Sequence, residues 1–126
     1  MKHYNVFISM PMRGLPTEEV LAAQEQYKKI MLNHLTEGAA AVTFLQNVLA
    51  DTDEATKTPL KCFAKSVAIL AEADILVLAG DWENARGCWL EKEIAKSYGL
   101  PIAVIMGDFL YSYDDYLVLK DGELHF

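Results

Sequence analysis

Residues 73–106, ADILVLAGDWENARGCWLEKEIAKSYGLPIAVIM, decide the fold. Residues 75–79 form a short, continuous apolar run, the signature of a strand buried on both faces. A glycine-bounded polar loop follows over residues 80–87, and helical spacing then runs to Tyr98. Gly99 and Pro101 supply the stop that a helix C-terminus needs, and residues 102–106 are again strand-like. Strands alternating with helices in this way predict a mostly parallel sheet with helices on both faces.

The same alternation extends toward the N-terminus. Residues 60–72 read as a helix, 46–59 (QNVLADTDEATKTP) as an acidic loop with room for one helical turn, and 40–44 as a strand. Before these comes a helix capped by Thr17, with Glu18 and Glu19 in its first turn. Its stripe of Val20, Gln24, Tyr27, Met31 and Leu35 has helical spacing, and Gly38 closes it. Residues 4–10 (YNVFISM) form the first strand, which Pro11 ends, and residues 11–16 (PMRGLP) are its loop. Toward the C-terminus, residues 116–119 and 123–126 flank Lys120-Asp121-Gly122 and predict a small hairpin. The expected architecture is a single domain over residues 1–126. It is a flavodoxin-like, doubly wound parallel sheet of four to five strands, three layers α/β/α, in order 2-1-3-4. Such sheets take ligands outside the carboxyl ends of the strands, at the point where connections diverge to opposite faces. Here that point lies between the loops 11–16 and 80–87.

Composition narrows the functional classes. With 52% apolar residues the chain can bury a core without staples. A net charge of −7 argues against a nucleic-acid groove, because backbone phosphates would be repelled. A small anion held locally by amides and one or two basic side chains is compatible with it. Cys62 and Cys88 match no metal or redox spacing and read as reduced thiols. With no signal-like start and no membrane-length apolar run, the expectation is a soluble cytoplasmic protein with no membrane partner. His3, His34 and His125 have no partner spacing, so neither a metal nor histidine catalysis is expected.

One residue breaks its local pattern. On the helix after Gly87, helical periodicity places Cys88, Leu90, Ile94, Ala95 and Tyr98 on one side and Trp89, Lys92, Glu93 and Lys96 on the other. Glu91 falls in the middle of the apolar side. A core-directed carboxylate costs several kcal/mol unless it is paired or set at a cavity. An ionised carboxylate facing a cleft, early in a helix whose N-terminus supports negative charge, suits nucleophilic attack on an anomeric carbon. The alternative is a carboxylate satisfied by its own helix amides or by the 80–87 loop.

The strand and Met-Pro loop at the start, then Ala73-Asp74-Ile75-Leu76-Val77-Leu78, then Gly87, Glu91, Ala95, Gly99 and Pro101 in Gly-x-x-x-Glu-x-x-x-Ala…Gly-x-Pro order, form one combined pattern. It resembles the nucleoside 2-deoxyribosyltransferase-like family over residues 6–105. The similarity is greatest to a short bacterial and phage branch carrying Gly-x-Trp-x-x-(small)-x-Gly, here Gly80, Trp82, Ala85 and Gly87. The resemblance implies exchange or hydrolysis of the N-glycosyl bond of 2'-deoxynucleosides or their 5'-monophosphates. It implies no cofactor and a homo-oligomer, dimer or larger. Glu91 matches the family's nucleophile, and Ser9, Pro11, Met12 and Gly14 match a loop that wraps the ligand near its sugar or phosphate. Met10 stands where a glycine is usual. Lys65-Ser66 and Ala85 stand where the enzymes carry aspartates that assist at the sugar and base.

Other residues admit two readings each. Asp81 or Glu83 could protonate a departing base, or be solvated loop acids. Trp82 could stack on a base, or pack as a lid on the core. Asn84 and Arg86 could bond sugar or phosphate, or, for Arg86, a surface acid. Arg13, beside Gly14, is the expected phosphate contact, with a surface arginine as the alternative. Asp74 reads as structural. The acidic run Asp51, Asp53 and Glu54 is ordinarily a solvated loop, with an acid donated to the site as the alternative that the resemblance leaves open, and Tyr111, Tyr113, Tyr116 and Phe126 read as packing or interface residues. Two rivals stand beside the enzyme: a nucleotide-binding module of the same fold without chemistry, and a structural or partner-binding protein.

Overall fold

A computed structural model of the chain describes residues 3–12, 14–35, 41–47 and 58–124. Five strands form one sheet: β1 (His3–Ser9), β2 (Ala41–Phe44), β3 (Ile75–Leu78), β4 (Ile102–Met106) and β5 (Phe109–Ser112). The helices are α1 (Thr17–Leu35), α2 (Pro59–Leu70), α3 (Arg86–Ser97) and α4 (Tyr113–Leu124). Strand order is β2-β1-β3-β4-β5. The first four strands are parallel, and β5 returns antiparallel to β4.

The expected doubly wound order is therefore present, with an antiparallel edge strand added. Strand alternation sorts the core into two layers. Val6, Ile8, Val77, Ala79, Ala103 and Ile105 face one side and pack with Val20, Ile30 and Met31 of α1. Phe7, Leu76, Leu78 and Val104 face the other and pack with Leu70 of α2, Cys88 and Ala95 of α3, and Tyr116 of α4. Helices on both faces are what a nearly all-parallel sheet requires, because each face must be removed from water.

Local chemistry explains most boundaries. Thr58 accepts a hydrogen bond from Lys61 N at 3.1 Å, and Pro59 opens α2. Thr17 is the first helical residue of α1 rather than its cap; the Glu19 and Val20 amides donate to Pro16 O. Asp74 is structural, as expected. Its carboxylate accepts from Asn5 N at 2.7 Å and its own amide donates to Asn5 O, which sets β3 in register on β1. His3 hydrogen-bonds Asn5 and, across to β2, Thr43; His34 bonds Ile30 O and accepts from Leu110 N; and no potential metal-holding cluster occurs among the described residues. No helix among these residues is long and apolar enough to cross a membrane.

The expected hairpin over the tail is wrong. After the tight turn at Gly107 the chain makes β5 and then α4, because Ser112 Oγ accepts from Asp115 N at 3.2 Å and Asp114 and Asp115 occupy the first helical turn. Gly122 lies inside this helix and marks no turn. The sidedness of α3 also needs correction. Lys92, expected on the solvent side, is only 7% exposed; its ammonium lies against the Trp89 ring and the Glu93 carboxylate, and it shares the wall of a groove with residues of α4. Tyr98, expected on the core side, is the C-cap residue and is exposed, having left the helical path.

Candidate functional site at the carboxyl edge of the sheet

The loops after β1 and β3 meet as expected for a divergence point. Gly80 has φ +65°, and a Cβ there would lie 3.2 Å from the Tyr27 hydroxyl and 3.4 Å from Pro11 Cδ. A side chain at this position would be strained by its backbone angle, and its Cβ would crowd the Tyr27 hydroxyl of α1. Pro11 and Met12 are half-buried, and Met12 O accepts from Leu15 N to close a turn through exposed Gly14, itself at φ +81°. Arg13, the expected phosphate contact, lies outside the described residues, as do Asp51, Asp53, Glu54, His125 and Phe126.

Ser9 is the last residue of β1 and shares the parity of Phe7, so it faces the layer of α2 and α3. There it meets Glu91. Ser9 Oγ donates to Glu91 Oε1 at 2.8 Å, and Ser66 Oγ of α2 donates to Glu91 Oε2 at 2.8 Å. Glu91 is 6% exposed. Its oxygens are satisfied neither by its own helix amides nor by the 80–87 loop, but by hydroxyls from a strand and a different helix. Glu91 is the sixth residue of α3, beyond the first turn where the helix dipole acts most strongly. The two hydroxyls are therefore the main support for its charge. Burial nevertheless raises the carboxyl above the ordinary carboxylate range, with Ser66 and Ser9 pulling back against that rise. Beside it, burial pushes the Cys88 thiol up to about 11, helped by the Glu91 charge and opposed by a hydrogen bond with Ser9. The thiol is thus neutral and poorly nucleophilic.

Each carboxylate oxygen has two lone pairs, so one acceptor position per oxygen is not used by the serines. The cluster Ser9–Glu91–Ser66 can hold a negative charge in a fixed orientation at the divergence point. It has the residue types for acid–base or nucleophilic chemistry.

The other expected site residues are distributed differently. Trp82 is 5% exposed in the second core layer and packs at 5.8 Å against the Tyr116 ring. Asp81 and Asn84 are exposed and bonded to each other, Asn84 Nδ2 donating to Asp81 Oδ1 at 2.8 Å across the short 3₁₀ turn Trp82–Asn84. Arg86 is exposed and Gly87 half-buried at the start of α3. Glu83 accepts from the Tyr116 hydroxyl and from Lys120 Nζ, tying the turn to α4. Cavities of about 240 and 210 Å³ share Trp82, Glu83, Tyr116 and Lys120 in their walls, and Glu91 lines neither.

Sequence reasoning marks Ser66 only as part of the pair standing where the enzymes carry an aspartate, and it does not single out two other contributors, Asn47 and Tyr27, as site residues. Ser66 lies one helical turn before buried Leu70, so its inward face could have been inferred from that spacing. Asn47 is buried, with Nδ2 donating to Ile8 O at 2.7 Å and Oδ1 accepting from Gln24 Nε2 at 2.8 Å. It anchors the loop after β2 beside the end of β1, and a single Asn in a polar loop gives no sign of this. Tyr27 reads as an ordinary core residue of α1, although its hydroxyl stands over Gly80.

No curated protein and no solved structure matches the chain. A comparison with protein families matches residues 4–104 to "Domain of unknown function (DUF4406)". That span begins in β1 and ends in β4, taking in Ser9, Ser66 and Glu91, and the chain accordingly belongs to the DUF4406 family.

Proposed function

We propose that this protein binds a 2'-deoxynucleoside or its 5'-monophosphate at the carboxyl edge between β1 and β3, and transfers or hydrolyses its N-glycosyl bond with Glu91 as nucleophile. The observation that carries the reading is the buried Glu91 carboxylate, clamped by Ser9 and Ser66 at the divergence point of the sheet. The resemblance of residues 6–105 to nucleoside 2-deoxyribosyltransferase-like enzymes supports the substrate class.

In this mechanism a Glu91 oxygen forms a bond to the anomeric carbon as the carbon–nitrogen bond breaks, and the base leaves with the electron pair. The base takes a proton from an acid, for which Asp81 is the candidate in the loop after β3. A second base or a water then attacks the glycosyl ester and returns the Glu91 carboxylate. Ser9 and Ser66 orient the attacking carboxylate and lower the cost of its charge in a dry site. The loop 11–14 closes over the sugar or phosphate, with Arg13 as the phosphate contact and Asn84, Arg86 and Gly87 on the opposite lip. Trp82 supports that lip from below. Metal and cofactor have no part in the scheme, and a homo-oligomer would bring loops of a second subunit near the edge.

A non-catalytic nucleotide-binding module is the second reading. It is favoured by serine where the enzymes carry an aspartate, and by the engagement of both Glu91 oxygens. One experiment separates the two: incubation with a panel of deoxynucleosides and monophosphates, with free base measured. Base release that Glu91→Gln abolishes and Asp81→Asn reduces supports the enzyme. Binding without release supports the module, and no binding to any panel member refutes both.

A further inference from the structure

Lys92 is the only buried lysine among the described residues, at 7% exposure. Lysine is seldom buried without a full set of partners, because its ammonium is strongly hydrated. Here Nζ has the Glu93 carboxylate at 2.7 Å, from a side chain 40% exposed, and the Trp89 ring at 4.8 Å. One half-solvated carboxylate and an indole face leave acceptor positions open around an ammonium with three donors.

The space beside it is a groove of about 210 Å³ between α3 and α4, whose walls include Trp89, Lys92, Tyr113 and Leu117. It adjoins the cavity of about 240 Å³ that reaches Ile105 and Met106 at the carboxyl end of β4, through the shared wall of Trp82, Glu83, Tyr116 and Lys120. Lys120 is paired with Glu83 inside the groove lining, whereas the partner of Lys92, the half-exposed Glu93, lies outside that lining, so the lining itself carries one more positive than negative group. In a chain of net charge −7, that surplus is a local feature and not part of a general basic surface. Both tryptophans of the chain line this one groove.

We propose that the groove between α3 and α4 binds a small planar aromatic compound carrying one anionic group, the anion on Lys92 and the ring against Trp89 and Tyr113. Flat aromatic walls favour a ring, and the partly compensated ammonium favours an oxyanion. The volume lies below the range of about 300–1,000 Å³ typical of drug-sized ligands, which fits one ring and one small charged group. The site does not include Glu91, and the inference stands or falls apart from the glycosyl reading.

Phenyl phosphate is the probe, titrated against the full chain with tryptophan emission as the signal. The expected result is a saturable change in emission, with inorganic phosphate alone and phenol alone giving none at the same concentration. Lys92→Met should weaken binding at least about tenfold, the scale of a lost charge-assisted hydrogen bond. Glu91→Gln should leave it unchanged. If Lys92→Met does not fold, Trp89→Leu, at a half-exposed ring, carries the same test through loss of binding in a competition assay. Absence of saturation at about 10 mM, a range that still detects millimolar affinity, overturns the proposal. So does binding that Lys92→Met and Trp89→Leu leave intact. Emission that changes with protein concentration instead of probe, alongside a dimer in sedimentation, overturns it in favour of a second copy of the chain filling the groove.

Discussion

Replacing Glu91 with Gln should stabilise the protein at neutral pH and do nothing at low pH. In an unfolded chain a glutamate titrates near about 4.3. Burial in the cluster of Ser9, Ser66 and Cys88 raises the folded carboxyl above its ordinary value. Below the unfolded value both states are protonated and the group costs nothing. As pH rises through the window between the two values, the folded state binds more protons than the unfolded one. Stability then falls by at most about 1.4 kcal/mol per pH unit. Above the folded value the penalty is constant. Two hydrogen bonds to the charge offset part of the desolvation penalty, and desolvation is the larger of the two, so a net penalty persists on the plateau. Glutamine keeps the shape, accepts from one serine and donates to the other, whose hydroxyl can rotate. Urea unfolding followed by circular dichroism from about pH 4 to 8 reads this directly. The midpoints of wild type and Glu91→Gln should coincide at the acid end and separate upward, the variant more stable, with equal m-values. Ser66→Ala, which removes one donor from the charge, should make the wild-type decline larger. A Glu91→Gln protein less stable than wild type at pH 8, or a difference that does not change with pH, would refute the claim that desolvation outweighs the serine donors.

Two further substitutions test how the carboxyl edge is held. Asn47→Ala removes the acceptor of Gln24 and the donor to Ile8 O in a buried position. It should lower unfolding free energy by about 2–6 kcal/mol at any pH between 5 and 8, since two buried groups lose partners worth about 1–3 kcal/mol each. Gly80→Ala forces a Cβ at positive φ against Tyr27 and Pro11, and should lower stability by about 1–3 kcal/mol. If the companion Tyr27→Phe shows the same loss with Gly80 intact, the hydroxyl rather than the backbone holds the loops.

Sequence patterns carried the scaffold because the signals there are local and periodic. Alternation in β1 and the apolar runs of β3 and β4 assign strands, and helical spacing assigns α1, α2 and α3. A parallel arrangement then leaves few ways to order them. Glu91 was legible for the same reason: one charge among Cys88, Leu90, Ile94 and Ala95 violates a period that its neighbours obey. The tail was not legible. Its glycine and short apolar runs fit a hairpin as well as a helix, and what decides for α4 is the Ser112 cap and the burial of Tyr116 against Trp82.

What the chain's order of residues determined by itself is the doubly wound sheet and an inward carboxylate near its carboxyl edge, since both follow from periodicity along the backbone. Only the tertiary structure decided which groups answer that carboxylate and which side of α3 is dry. Ser9 and Ser66 are separated from Glu91 by 82 and 25 positions, and the groove beside Lys92 takes its other wall from α4, a helix that begins well after it. Partners across such distances are set by how layers pack, and no local pattern encodes them.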